Sequence, residues 1–406
     1  MDISTNETSV AARRGSPTEV LWAFLKLGLT CFGGPIAHIG YFRDEFVLRR
    51  RWIDEHAYAD LVGLCQFLPG PASSQVGFSI GLMRAGYLGA LAAWVGFTLP
   101  SAAALVLFAY GAGALNGPIG NGLLHGLKLT AVAIVAQAVC GMARNLCPDR
   151  ERASIAVVAA LILLFSTSAV AQIGAIALGG IAGLWLCRGG TLAQSGHVKM
   201  PVSRTAGLAA LTGFFLLLFG LPVLRELTAS SGLALFDAFY RSGALVFGGG
   251  HVVLPLLREA FVTPGWLSDN AFLAGYGAAQ AVPGPLFTFA AYLGTVVTPN
   301  PHGGVGAGLG LVGIFLPGML VLLGVLPFWD SFRKRAGAQA MMRGVNAAVV
   351  GLLGAALYDP VWTSSVHAPP DFGIALVGFV LLTVWRAPPL VVVVFSAAAG
   401  TAVSIL

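Results

Sequence analysis

One interrupted helix pattern occurs twice in this chain. The first copy runs from Phe32-Gly33-Gly34 through Gln66 to Pro69-Gly70-Pro71, and the second from Phe247-Gly248-Gly249 through Gln280 to Pro283-Gly284-Pro285. A one-residue gap, with Arg49-Arg50-Arg51 opposite Pro264-Gly265, brings thirteen positions into identity, among them Arg43/Arg258, Phe46/Phe261, Trp52/Trp266 and Gly63/Gly277. The surrounding chain is apolar, with 57% hydrophobic and 10% charged residues; a soluble domain carries about 25% charged residues. Matching interruptions in two halves of such a chain point to the binding site of a transporter.

Apolar stretches recur from end to end, the interrupted ones at 19–41, 57–83, 232–256 and 270–297. Taking about 20 apolar residues per crossing, the sequence predicts an all-α polytopic membrane protein of about 12–13 transmembrane helices in two homologous repeats with broken helices. Residues 1–18 form a polar tail without the apolar core of a signal peptide, expected to be cytoplasmic. The first repeat is expected over 19–187, a linker with one transmembrane helix over 188–231, and the second repeat over 232–406.

Basic residues set orientation in membrane proteins. With the N-terminus inside, Arg84, Arg144, Arg150, Arg152, Arg188, Arg204, Arg258, Arg335 and Arg386 fall on cytoplasmic loops. The loop 42–56, with Arg43 and Arg49-Arg50-Arg51, is the exception. Either it lies outside, or the neighbouring breaks make their segments re-entrant. Seven spans precede the second copy on this count, so the two repeats are expected to be inverted about an axis in the membrane plane. The net charge of +6 reflects these loops, and nucleic acid is not an expected partner.

The chemistry is expected at the breaks. Pro-Gly-Pro stops a helix, and the restart presents unpaired N–H groups and a positive dipole end. After Pro69, Gly70 and Pro71 come Ser73, Ser74 and Gln75, which add donors; after Pro283, Gly284 and Pro285 only Thr288 keeps a hydroxyl. Gln66 and Gln280 precede the two breaks by three residues, and either contact substrate or tie down the broken backbone. The other breaks contain Gly33, Gly34 and Pro35 in one half and Gly249 in the other, followed by His38 and His251, the candidates for proton coupling. Lys26 and Arg241 share one repeat position, six residues before each Phe-Gly-Gly, and Lys128 is a third cation in an apolar stretch. An ionisable residue inside a span is a functional candidate by default, with snorkelling as the competing reading. Intramembrane carboxylates are nearly absent, which biases the chain toward an anionic substrate. No metal-ligand spacing, phosphate loop or catalytic triad is present, so no metal, cofactor or enzymatic activity is expected. An enzyme acting on a lipid phosphate is the rival from another class.

Three segments carry a resemblance to a known family: Phe24-Leu25-Lys26-Leu27-Gly28 through Phe32-Gly33-Gly34-Pro35-Ile36-Ala37-His38, Gln66 through Gln75, and Gly96-Phe97-Thr98-Leu99-Pro100-Ser101. Together they resemble the chromate ion transporter family, and Val246 through Val253 with the second Pro-Gly-Pro resembles the partner half of its long, two-domain members. The resemblance implies an inner-membrane protein that exports chromate and confers resistance, with sulfate, also a tetrahedral dianion, as a competitor. An importer of sulfate or another oxyanion is the nearest alternative. Beyond the oxyanion and the lipid bilayer, a homodimer is an allowed partnership.

Overall fold

The computed structural model describes residues 15–31, 34–112, 117–166, 169–188, 201–247, 252–298, 300–329 and 335–405. The described residues form helices and connecting turns, with no strand among them. Five helical segments are long and apolar enough to cross a membrane: Ala72–Gly111, Ile119–Leu146, Arg204–Thr228, Gly303–Phe328 and Ala336–Asp359.

The interrupted stretches fold differently from straight spans. Ser16 caps α1 (Pro17–Thr30), accepting from the Glu19 N–H, with Pro17 in the first turn. After the first break, Gly34 has φ +77°, and α2 (Gly34–Phe42) continues as a wider turn over Arg43–Arg49. α2 runs back along α1: Phe24 stacks on Phe46 at 4.8 Å and meets Phe42 edge-on at 5.5 Å. α3 (Glu55–Phe67) leads into Pro69-Gly70-Pro71, and α4 (Ala72–Ala112) restarts there and folds sharply at Ala85 and Gly86. The Arg84 guanidinium sits 5.0 Å over the Trp52 ring and pairs with Glu19, and the Gly15 N–H donates to the Arg84 carbonyl. Residues 15, 19, 52 and 84 therefore share one end of the bundle. The stretches 19–41 and 57–83 are thus hairpins that return to that end, and Arg49-Arg50-Arg51 lies beside Arg84. Hydropathy counts apolar residues and cannot register a reversal at a glycine.

The second half repeats this plan. α9 (Ser231–Ala244) and α10 (Val253–Phe261) turn back on one another, with Phe239 and Phe261 at 4.5 Å. α11 (Asp269–Ala279) and α12 (Phe289–Val296) flank Pro283-Gly284-Pro285. The Tyr292 hydroxyl donates to the Ala271 carbonyl at 2.9 Å, and the Thr298 N–H to Trp266 at 3.2 Å, which closes that hairpin. Local sequence explains the match. Asp54 and Ser268, at equivalent positions, cap α3 and α11 by accepting from Ala57 and Ala271 N–H groups. Arg43–Glu55 (2.7 Å) and Arg258–Asp269 (2.9 Å) are the same ion pair in the two copies.

Between the hairpins run α5 (Gly117–Leu146), α6 (Arg150–Phe165), α7 (Ala169–Leu186) and α8 (Arg204–Thr228), and after them α13 (Gly303–Val325), α14 (Ala336–Ala356), α15 (Pro369–Thr383) and α16 (Pro389–Ile405). Lipid is as apolar as leucine, so these helices associate through close packing at small residues. Gly126 on α5 lies on the Ser396–Ala397 backbone of α16, Gly183 on Ala340 and Gly344, and Gly28 on the Gly96–Phe97 backbone. A side chain at any of these glycines would collide with main chain.

Candidate functional site

The hairpin tips of the two halves exchange backbone hydrogen bonds. Gly70 (φ +115°) and Gly284 (φ +99°) hold a conformation that L side chains rarely adopt. The Gly70 N–H donates to the Val246 carbonyl at 2.7 Å, and the Gly284 N–H to the Cys31 carbonyl at 2.8 Å. Cys31 and Val246 are equivalent residues, each just before its Phe-Gly-Gly. Each Pro-Gly-Pro is therefore fastened to the first break of the other half.

A second exchange lies beside the first. Leu99-Pro100-Ser101 and Leu316-Pro317-Gly318 match in the two copies. A Cβ on Gly70 would lie 2.8 Å from the Gly318 Cα, and one on Gly284 would lie 2.8 Å from the Ser101 hydroxyl. Gln75 adds a side-chain link, its amide nitrogen donating to Pro69 (2.9 Å) and Gly318 (2.8 Å) carbonyls.

The backbone plan is shared, but the side chains differ. At the first-half tip His38 is 1% exposed, its Nδ1 lies 3.3 Å from the Ser73 hydroxyl, and its ring meets Phe97 edge-on at 5.2 Å. Its Nε2 is buried without a hydrogen-bond partner. Ser73 and Ser74 are buried, and the Ser74 and Thr98 hydroxyls have no partner. The Gln75 N–H closes the first helical bond, to Pro71 at 2.9 Å, so the Ala72, Ser73 and Ser74 N–H groups precede the helical ladder. At the second-half tip Val253 stands where His38 does and Phe287 where Ser73 does. The restart there begins with a tight turn over Leu286–Thr288, and the Thr288 hydroxyl donates to Pro285 at 2.7 Å, leaving it no proton for a ligand. A buried donor without a partner costs about 1–3 kcal/mol, and an anion at a helix N-terminus removes that cost.

The expected cations are engaged elsewhere. Lys26 has a half-exposed side chain 3.9 Å from Glu45, whose buried carboxylate also takes Arg49 at 2.9 Å and Arg50 at 2.6 Å. Arg241 pairs at 2.9 Å with Asp237, which is fully buried and also pairs with Arg225 at 3.1 Å. Lys128 donates to Asn270 at 3.0 Å. Gln66 is exposed on α3, whereas Gln280 is half-buried, bonded to Tyr276 and left with an unpartnered amide nitrogen. Gly34 and Pro35 open α2. Gly33, Gly249 and His251 lie outside the described residues. Thr98 and Ser101 also belong to the tip, and the repeated Leu-Pro pair is the sequence signal that marks them. Among the described residues no group of three His, Cys, Asp or Glu side chains is placed to hold a metal ion.

Two sets of broken-helix hairpins, locked tip to tip inside an apolar helical bundle, define a multi-pass membrane protein of the transporter class. The chain belongs to the chromate transporter family, whose model matches residues 18–184 and 233–401. A chromate transport protein of Pseudomonas aeruginosa is 29% identical over 390 residues, 92% of this chain and 89% of its own. A probable chromate transport protein of Synechococcus elongatus is 28% identical, covering 93% of each chain. A chromate transport protein of Cupriavidus metallidurans is 27% identical over 90% of this chain and 87% of its own. No solved structure matches the chain. Family and relatives are transporters, so the reading as an enzyme on a lipid phosphate falls.

Proposed function

We propose that this protein exports chromate across the inner membrane by alternating access, coupled to the proton-motive force, and so confers chromate resistance. The observation that carries the reading is the buried, unpartnered Ser74 hydroxyl at the start of α4, together with the Ala72, Ser73 and Ser74 N–H groups that precede the helical ladder, beside the backbone lock between the halves. The anion sits there, held by the Ser73 and Ser74 hydroxyls, the free N–H groups of the first turn and His38. Sulfate competes, because the same donors accept any tetrahedral dianion.

The two halves are inverted repeats in this reading. The first-half hairpins open at the end holding Arg84, while the second-half hairpins open where Gly303 meets Tyr110, at the far end of α4. Arginines support the orientation. Once the α1–α2 and α3–α4 hairpins are re-entrant, Arg43, Arg49, Arg50 and Arg51 join Arg84 at one end, and Arg225 and Arg258 are left at the other. The arginine-rich end is the cytoplasmic one, with the N-terminus inside. The membrane potential then favours outward movement of a dianion by ~2.3 kcal/mol per charge per 100 mV.

The test is chromate flux into inverted membrane vesicles. Saturable uptake by wild type, inhibited by sulfate and weakened in Ser73→Ala/Ser74→Ala, supports the reading. Flux no faster than in vesicles without the protein overturns it, and flux only in the opposite direction makes the protein an importer.

A further inference from the structure

Far from the tips, three helices from the two halves meet through one polar chain. On α5 His125 approaches Asp371 of α15, Nε2 to Oδ1, at 2.7 Å, and the Asp371 carboxylate is buried. The other carboxylate oxygen, Oδ2, caps α15 by accepting from the His367 and Ala368 N–H groups at 3.0 and 3.1 Å. The His367 ring stacks on His125 at 6.3 Å between centroids. Three residues along α5, Lys128 donates to Asn270 at the start of α11, and the charge of Asp371 also reaches Lys128. Between them, Leu127 presents its carbonyl to Gly277 of α11 in direct backbone contact.

A structural cap needs only Oδ2, so the bond from Oδ1 to a histidine on another helix is additional. The remaining charged groups on elements packed against α5 are occupied. Asp359 binds the Thr363 hydroxyl, Arg343 on α14 donates to the Cys187 carbonyl and to Gln339, Asp269 on α11 holds Arg258, and α16 brings no charge. At the equivalent place in the other repeat, Arg343 and Asn346 replace His125 and Lys128. Only one of the two pseudo-equivalent sites therefore holds a histidine.

We propose that the His125–Asp371 pair is the proton-binding site that couples the proton-motive force to transport. This rests on the proposed function, and it places the pair at the outer end of the bundle, where the force supplies protons. A proton added to His125 makes an imidazolium that holds Asp371 as an ion pair. It also puts a second positive charge one turn from Lys128. Repulsion then loosens Lys128 from Asn270 and frees α11, whose far end carries Pro283-Gly284-Pro285 and the Gly284 bond to Cys31. Loss of the proton on the inner side resets the contact.

The experiment uses the full chain in proteoliposomes, with chromate exchange at equal pH measured beside flux under an imposed proton gradient. Wild type is expected to show both, the gradient speeding net flux. His125→Gln is expected to keep exchange close to wild type and lose the acceleration, as is Asp371→Asn where it folds. A His125→Gln protein still accelerated like wild type overturns the inference. A second readout needs no variant: an entrapped pH dye should report proton movement when chromate is added to wild type. Chromate exchange without proton movement also overturns the inference while leaving chromate transport standing. Absence of wild-type exchange overturns the proposed function itself.

Discussion

Gly70→Ala probes the lock between the halves. An L residue in the left-handed region costs about 1–2 kcal/mol. The new methyl would also lie 2.8 Å from the Gly318 Cα, which is main chain and cannot rotate aside. Overpacking of that kind adds about 1–3 kcal/mol. The locked arrangement is therefore disfavoured by about 3 kcal/mol, more than a hundredfold at about 1.4 kcal/mol per decade. Gly284→Ala suffers the same backbone strain, but its nearest obstacle is the Ser101 hydroxyl, with the Phe97 carbonyl at 3.1 Å behind it. Adding Ser101→Ala should recover about 1 kcal/mol, roughly a fivefold gain, whereas no side-chain deletion can rescue Gly70→Ala. Gly213, in open space on α8, serves as the control. The assays are chromate flux in inverted vesicles, normalised to expression, and thermal unfolding in detergent. The expected order of flux is Gly213→Ala equal to wild type, then Gly284→Ala/Ser101→Ala, then Gly284→Ala, then Gly70→Ala. Wild-type flux and melting in Gly70→Ala, or no rescue by Ser101→Ala, would refute the reasoning.

Other perturbations have equally definite outcomes. Lys26→Gln should leave chromate affinity nearly unchanged, because Lys26 shares Glu45 with Arg49 and Arg50; a loss of saturable binding would return Lys26 to the substrate site. Glu45→Gln leaves those three cations without their buried counter-charge, so it should lower folded yield and melting temperature more than Lys26→Gln does. Ser73→Ala/Ser74→Ala should raise the chromate concentration for half-maximal flux by about tenfold or more, since each hydrogen bond to a charged group is worth about 1.5–3 kcal/mol. Asp44→Cys and Thr263→Cys occupy neighbouring surface positions of the two repeats; an impermeant thiol reagent should reach the first from the cytoplasmic side and the second from outside. Labelling of both from one side would exclude inversion.

What the sequence disclosed followed from local rules. Pro-Gly-Pro removes backbone donors and clashes with the preceding turn, so those breaks and their recurrence could be read directly. The reversal at each break could not, because hydropathy treats 19–41 as enough apolar length to cross whether or not the chain turns at Gly34. The odd placement of Arg49-Arg50-Arg51 was the visible trace of that reversal. Lys26 and Arg241 drew attention through their shared repeat position. Their neutralisers, Glu45 and Asp237, occupy non-equivalent positions and so escaped a comparison of the repeats. The bonds from Gly70 to Val246 and from Gly284 to Cys31 involve only backbone atoms far apart in sequence, for which side-chain types give no signal. His125 and Asp371, 246 residues apart, are unmarked for the same reason.

The most direct test of the central claim is the concentration dependence of radiolabelled chromate uptake into inverted vesicles, for wild type and Ser73→Ala/Ser74→Ala at matched expression. Saturable, sulfate-inhibited uptake by wild type, with the half-saturating concentration raised in the double variant, is the expected result. Uptake equal in the two proteins would contradict an anion site at the first-half restart, and no uptake above empty vesicles would contradict chromate export.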